Sequence, residues 1–265
     1  MTTTIGYQGD GARLPGFSRS SRPSQYYTGF WKCQQANGDD NDDRITDFSS
    51  LGNHATIGDL TTAEAWANSG KFSSLATANH WGSITKEQWG VTWATDSFMW
   101  MFQLTATAAT SARVWGAGIS TSNTGANLQF NSSGRLIVGL YNTSGTAISS
   151  SPASGQSWTG GATNTAMLAY DAENREIWIG TGGVVDMAAN TNIAAGDFDL
   201  IDAAHSATIG IGGRAGATGS MVANQQAWVH SLVFPNRGLP SNVAALFGRY
   251  HSYRFTQLQE REIVW

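Results

Sequence analysis

One ten-residue stretch constrains the fold more than any other part of the chain. In FMWMFQLTAT, Phe98, Trp100 and Phe102 alternate with Met99 and Met101. A period of two is typical of a β-strand, whose successive side chains point to opposite faces of the sheet. Because both sets are apolar, both faces need to be covered. The stretch therefore predicts a central strand in a sheet that is packed on both sides.

Two other segments predict β-hairpins. LQFNSSGRLIVGLY, within residues 126–141, has a turn signal at Asn131–Gly134 between two alternating runs. AMLAYDAENREIWIG, residues 166–180, has another at Asp171–Asn174. The dominant period along the chain is thus that of strands.

Residues 207–250 give the most specific order of elements. A short alternating strand runs into a glycine-rich turn, and a second strand follows with Trp228 and His230 on one face. A helical segment, Ser241–Tyr250, closes the region, and the only other helical pattern is Thr61–Trp66. This order resembles the closing signature of the concanavalin A-like, laminin-G-like jelly-roll domains.

The resemblance extends upstream. DFSSLGNHATIG, Asp47–Gly58, is similar to the early laminin-G-like motif, and Gly70–Ile84 is similar to the segment that follows it. Together the matches span residues 26–254. The resemblance implies an all-β fold, a two-sheet antiparallel jelly-roll sandwich.

The predicted organisation has three parts. An extended N-terminal arm covers residues 1–24, the concanavalin A-like domain covers 25–255, and a short C-terminal tail covers 256–265. The arm has no hydrophobic period, which is typical of a segment that does not fold alone. Four side chains are predicted to be buried in the sandwich, namely Trp100, Leu136, Ile177 and Trp228.

Composition narrows the class of protein. Charged residues make up 13% of the chain, against about 25% in typical domains, and the net charge is −4. That balance argues against a nucleic-acid partner, which usually meets a basic face. Cys33 is the only cysteine, so no intrachain disulfide is predicted. The N-terminus lacks the apolar core of a leader, and no run of about 18 apolar residues predicts a membrane span.

The resemblance raises the question of catalysis, because glucanases share the fold and use two carboxylates about 5 to 5.5 Å apart when they retain configuration. Here Asp171, Glu173 and Glu176 break the alternation that would place them on one strand face. Asn174 marks a turn, so a solvated hairpin tip is predicted. GIGGRA lacks the following helix that a dinucleotide site requires, and His230 is interpreted as a core residue. The sequence therefore predicts a protein that is not an enzyme.

Calcium is the one cofactor the sequence suggests, the alternative being none. Asp39, Asp43 and Asp47 offer the hard oxygen ligands that Ca²⁺ prefers. The start of this loop imitates an EF-hand, but Arg44 stands where the glycine is required. The resemblance implies calcium at a loop edge, since laminin-G-like domains often carry it there. A solvated acidic loop is the competing interpretation.

Tryptophans are the candidate glycan-binding residues. Trp81, Trp115 and Trp158 lie in or beside predicted loops, where an exposed ring could stack on a sugar. Large aromatics also dominate cores and subunit interfaces, so burial is the competing interpretation for each.

The arm and tail carry the predicted assembly contacts. Basic and apolar side chains in the arm, and the bulky C-terminus, would anchor on a partner surface. The residues are Arg13, Phe17, Arg19, Arg22 and Trp265.

Three functions follow from the sequence. The first is a phage virion structural protein, a capsid decoration or tail-associated protein, that forms homo-oligomers, binds other virion proteins through its arms and is assembled in the host cytoplasm. The alternative is a carbohydrate-binding, lectin-like attachment module with surface glycans as partners. A glycan-cleaving enzyme ranks third, and neither nucleic acid nor a membrane is predicted as a partner.

Overall fold

The computed structural model describes most of the central part of the chain. The described residues are 27–32, 44–47, 49, 51–57, 72–74, 82–106, 113–117, 125–141, 153–158, 161–186, 208–212 and 224–252. The predicted helix Thr61–Trp66, the arm 1–24 and the tail 256–265 lie outside them.

Two antiparallel sheets form a sandwich in the described residues. The first, sheet I, has seven strands, six of them in one row. In spatial order these are β1 (Tyr27–Lys32), β15 (Asn224–Phe234), β6 (Ser97–Ala106), β11 (Thr163–Asp171), β12 (Glu176–Thr181) and β13 (Val184–Asp186), with β4 (Phe72–Ser74) also pairing with β15.

The second sheet, sheet II, has eight described strands. In spatial order these are β10 (Ala153–Ser157), β9 (Arg135–Tyr141), β8 (Gly125–Phe130), β7 (Arg113–Ala117), β14 (Thr208–Ile211), β5 (Gly82–Thr85), β3 (Ala55–Ile57) and β2 (Arg44–Ile45). Neighbouring strands are often far apart in sequence, as expected of a jelly roll. The predicted all-β, two-sheet antiparallel fold is confirmed.

The core between the sheets is rich in aromatic rings. Trp100 of β6 is stacked on Trp31 of β1 with ring centroids 5.4 Å apart and an angle of 4° between the planes. Trp89 and Trp115 contact the same ring from the side of sheet II. Aromatic pairs add stabilisation beyond the area they bury. This cluster is the centre of the sandwich.

The other face of sheet I is covered by a helix. Met99 and Met101 point away from the sandwich core into a second apolar cluster with Phe247 and Tyr250. These last two belong to α2 (Val243–Ser252), the closing helix that the sequence predicted. The prediction that β6 is covered on both faces is therefore confirmed.

Both predicted hairpins are present. Strands β8 and β9 pair on either side of residues 131–134, and β11 and β12 pair on either side of residues 172–175. Three of the four side chains predicted to be buried, Trp100, Leu136 and Ile177, are buried. The side chain of Trp228 lies outside the described part of the structure.

A short helix, α1 (Lys86–Trp89), was not predicted. Thr85 caps it by accepting a hydrogen bond from the Gln88 N–H, while the Gln88 side chain accepts one from the Thr85 N–H. This reciprocal capping box stabilises a helix too short to form alone. It places Trp89 in the core. In the described part of the chain, no helix has the length and apolar character needed to cross a membrane.

One histidine links α2 to sheet I and should make stability depend on pH. The Thr165 hydroxyl and His251 Nδ1 share a hydrogen bond of 2.8 Å, and burial lowers the pKa of His251 below its ordinary value of 6.5. The unfolded chain therefore takes up this proton first, so the contribution is complete above pH 6.5 and is lost as pH falls toward the lowered value.

We expect the melting temperature of the wild-type protein to fall between pH 7.5 and 5.5, roughly across the range in which an unperturbed histidine titrates. Part of that fall should disappear in His251→Asn, which keeps a hydrogen-bonding partner for Thr165. Differential scanning calorimetry measures this, and identical pH profiles for the two proteins would contradict it.

Candidate functional site

A row of small and polar residues crosses the outward face of sheet II. Along β8, Ala126 and Leu128 enter the core, so Asn127 between them points outward. The paired registers of β3, β5, β14, β7, β8 and β9 continue this position across six strands. The row consists of Thr56, Ser83, Gly210, Gly116, Asn127 and Gly139. Because three members are glycines, much of its floor is bare backbone.

Gly139 allows two side chains to meet over the sheet. A Cβ added at Gly139 would lie 2.6 Å from Cε2 of Tyr141, 2.9 Å from its hydroxyl oxygen and 3.0 Å from Oδ1 of Asn127. The Tyr141 ring therefore folds back across Gly139 and brings its hydroxyl end toward Asn127. A side chain at position 139 would push that ring aside.

Asn127 is the unusual polar residue of this face. Its side chain is only 2% exposed, and Oδ1 accepts no hydrogen bond in the described structure. Leaving a buried polar group without a partner costs about 1–3 kcal/mol. Such groups are rare in native proteins, and each asks for an explanation such as a bound water or ligand.

Arg113 adds a positive charge beside Asn127. It is paired with Gln129, and a bulge between Arg113 and Trp115 leaves Arg113 on the outward face while Val114 and Trp115 both enter the core. Burial lowers the pKa of the Arg113 guanidinium, and the neighbouring Tyr141 phenol acts in the opposite direction. Arginine nevertheless stays protonated at neutral pH.

We call this group the outward-face cluster and define it as Arg113, Gly116, Asn127, Gly139 and Tyr141. It combines a cation, an amide oxygen without a partner, a phenol ring and a backbone floor. Pockets that bind small molecules combine apolar surface with a few convergent polar groups in this way. The sequence analysis missed all five residues.

The predicted glycan-binding tryptophans do not contribute to this cluster. Trp115 is 0% exposed and lies in the aromatic core, and Trp158 is 6% exposed, packs on Phe130 and donates its Nε1–H to the Ala162 carbonyl. The prediction that these two rings stack on sugars is therefore wrong, because no ring face reaches the surface. Trp81 lies outside the described residues.

The one described member of the predicted calcium set has a structural role. The Asp47 carboxylate accepts hydrogen bonds from the Ser49 N–H, the Ser49 hydroxyl and the Asn53 N–H. It thereby organises the loop that joins β2 to β3. Asp39 and Asp43 lie outside the described residues. Within the described ranges no group of three or more His, Cys, Asp or Glu could hold a metal ion, and calcium binding stays a prediction.

The acidic residues of the second hairpin form a turn, as predicted. Oδ1 of Asp171 accepts hydrogen bonds from the Glu173 and Asn174 N–H groups, and Oδ2 accepts one from the Asn174 side chain. Glu173 is exposed. His230 is buried against Tyr250, which confirms its interpretation as a core residue.

The predicted assembly contacts stay predictions. Arg13, Phe17, Arg19, Arg22 and Trp265 all lie outside the described residues.

Comparison with known proteins identifies the fold. No protein-family model matches the sequence, and no curated protein matches it. A Trypanosoma rangeli sialidase in complex with sialic acid superposes with a TM-score of 0.54 at 13% identity, covering 86% of this chain and 33% of the sialidase chain. The binding domain of botulinum neurotoxin serotype D gives a TM-score of 0.57 at 9% identity, with 88% and 52% covered.

A third solved structure belongs to the same group. The binding domain of Paraclostridial Mosquitocidal Protein 1 gives a TM-score of 0.52 at 12% identity, with 86% of this chain and 53% of that chain covered. The chain thus spans about a third of the sialidase and about half of each toxin structure. Identities this low show a shared β-sandwich, and the chain has the jelly-roll fold of the concanavalin A-like type.

These comparisons correct one prediction. The sequence analysis concluded that the chain is not an enzyme, and that conclusion is wrong because solved structures with the same fold include sialidases, which are enzymes. The virion role is not tested by these likenesses and stays a prediction. Function has to be argued from the site, because one fold serves many functions.

Proposed function

We propose that this protein is a carbohydrate-binding module and that the outward-face cluster is its glycan site. The observation that carries the proposal is the buried Oδ1 of Asn127, which has no hydrogen-bond donor in the described structure. A sugar hydroxyl is a donor of the right kind, and its binding would remove an unfavourable term of about 1–3 kcal/mol.

The other members of the cluster suit the same ligand. A sugar ring presents hydroxyl groups at its edge and C–H groups on its faces, so it needs polar groups beside an apolar surface. The Tyr141 ring offers an apolar face and a hydroxyl end, and the bare backbone at Gly116 and Gly139 lets a flat ring approach closely. Arg113 adds a hydrogen-bond donor that stays charged.

The structural likenesses support a binding role of this kind. The same sandwich occurs in a sialidase solved with sialic acid and in the binding domains of two toxins. At these identities the likeness concerns the fold, so the residues of the cluster carry the assignment to carbohydrate.

The proposal is tested on an array of neutral and acidic oligosaccharides, followed by calorimetry with a glycan that binds. We expect Asn127→Ala to weaken binding by at least about tenfold, or ~1.4 kcal/mol. The melting temperature should change little, because loss of the unpaired oxygen offsets the lost packing. Gly139→Ala should weaken binding similarly, since its Cβ displaces the Tyr141 ring.

Thr56→Ala is the matched control. Thr56 belongs to the same row of sheet II but is exposed and lies four strands from β8, so its loss should leave binding unchanged. If no glycan on the array binds, or if Asn127→Ala and Gly139→Ala bind as tightly as the wild-type protein, the proposal is wrong.

A further inference from the structure

We propose that the sugar bound at the outward-face cluster is anionic, with its carboxylate held by Arg113. This inference rests on the proposed function and goes beyond it by naming the class of glycan. Three observations support it, namely the charges of the two sheets, the partial burial of Arg113 and the arrangement of polar groups around it.

The two sheets differ in charge. The eight strands of sheet II contain three arginines, Arg44, Arg113 and Arg135, and no Asp or Glu. The strands of sheet I contain three acidic residues, Asp171, Glu176 and Asp186, and two basic side chains, Lys32 and His230. A basic face on a chain of net charge −4 creates a local field that attracts anions.

Arg113 is placed to use that field. It is partly buried on the outward face, whereas Arg135 on the neighbouring strand β9 is exposed. Taking a cation out of water is unfavourable unless an anion or several hydrogen-bond acceptors replace the lost hydration. A ligand carboxylate beside Arg113 would compensate for this desolvation more than a neutral hydroxyl group could.

Geometry favours a carboxylate. The planar guanidinium fork presents parallel N–H donors that match the two oxygens of a carboxylate. Next to it, the amide oxygen of Asn127 and the hydroxyl of Tyr141 meet over Gly139 and can bond the hydroxyl groups of the same sugar. The cluster therefore suits a ring that carries one carboxylate and several hydroxyl groups.

The test uses two pairs of ligands that differ in charge. Trigalacturonate is compared with its methyl ester, and sialyllactose is compared with lactose, by calorimetry at one fixed ionic strength. We expect at least one acidic ligand to bind about tenfold or more tightly than its neutral partner, as one charge-assisted pair would give. Arg113→Gln should reduce that affinity to the level of the neutral sugar.

Two other variants separate local recognition from general charge. Arg135→Gln removes the same charge from the same face of sheet II and should change the affinity by about twofold or less, since an exposed charge is screened. Arg113→Lys keeps the charge but loses the fork, and should give an intermediate affinity. It also keeps the test decisive if Arg113→Gln does not fold.

The outcomes distinguish the two proposals. Equal affinities for acidic and neutral partners, with binding still lost in Asn127→Ala, would overturn the anionic ligand and leave the carbohydrate site standing. Binding of none of the four sugars would contradict both proposals. Tighter binding of a single-stranded DNA oligonucleotide, lost in Arg113→Gln, would assign the cluster to phosphate and overturn the inference.

Discussion

Replacing Trp100 with alanine is expected to destabilise the protein by about 3–5 kcal/mol, the range for removing a large aromatic from a core. Trp100 is 0% exposed and touches rings from both sheets, being stacked on Trp31 and in contact with Trp89 and Trp115. The cavity would lie at the centre of the sandwich, where two sheets hold its walls apart and limit collapse.

Equilibrium unfolding in urea measures this loss, and Trp100→Phe is its control. Phenylalanine keeps most of the ring contacts and removes an indole N–H that has no partner in the described structure. The control should therefore lose less than half of the stability that alanine loses. A destabilisation below about 1 kcal/mol for Trp100→Ala would be typical of a surface position and would contradict the described core.

The second large effect is expected from Ser97→Ala, at the end of the sandwich where three turns meet. The buried Ser97 hydroxyl donates to the Arg237 carbonyl at 2.6 Å and accepts from the Ala172 N–H at 2.9 Å. Beside it, the Asp96 carboxylate accepts from the Thr92 and Asn236 N–H groups. Alanine would remove both bonds of the hydroxyl, and we expect a loss of about 2–4 kcal/mol.

The control for this prediction is Ser133→Ala in the other hairpin turn. Ser133 is exposed, and the bond described at this residue is made by its backbone N–H to Asn131. Surface changes of this kind usually stay within about 0.5 kcal/mol. Equal urea midpoints for Ser97→Ala and Ser133→Ala would show that the serine does not join the turns.

The parts of the fold that the sequence predicted are those encoded locally. Alternation around Trp100 gave the central strand, and the turn residues at Asn131 and Asp171 gave both hairpins. The α1 helix carried a signal that could have been used, because Thr85 and Gln88 have the spacing of a capping box. Local chemistry of this kind can be read without knowing the partners of a segment.

The candidate site could not be predicted because it is made by strands that are distant in sequence. Ser83, Gly210 and Gly116 become neighbours only when β14 inserts between β5 and β7. The tryptophan predictions failed for a related reason. A bulge at the start of β7 turns both Val114 and Trp115 inward, and such a register shift has no clear signature in the side-chain pattern.

The central claim is that a glycan binds over Asn127 on the outward face of sheet II. The most direct measurement is a titration of the ¹⁵N-labelled protein, followed by NMR, with an oligosaccharide that binds on the array. We predict that the largest chemical-shift changes are those of the Gly116, Asn127 and Gly139 amides. Changes confined to the hairpin tip at residues 172–175 and the turn at 235–238, with these three amides unmoved, would contradict the claim.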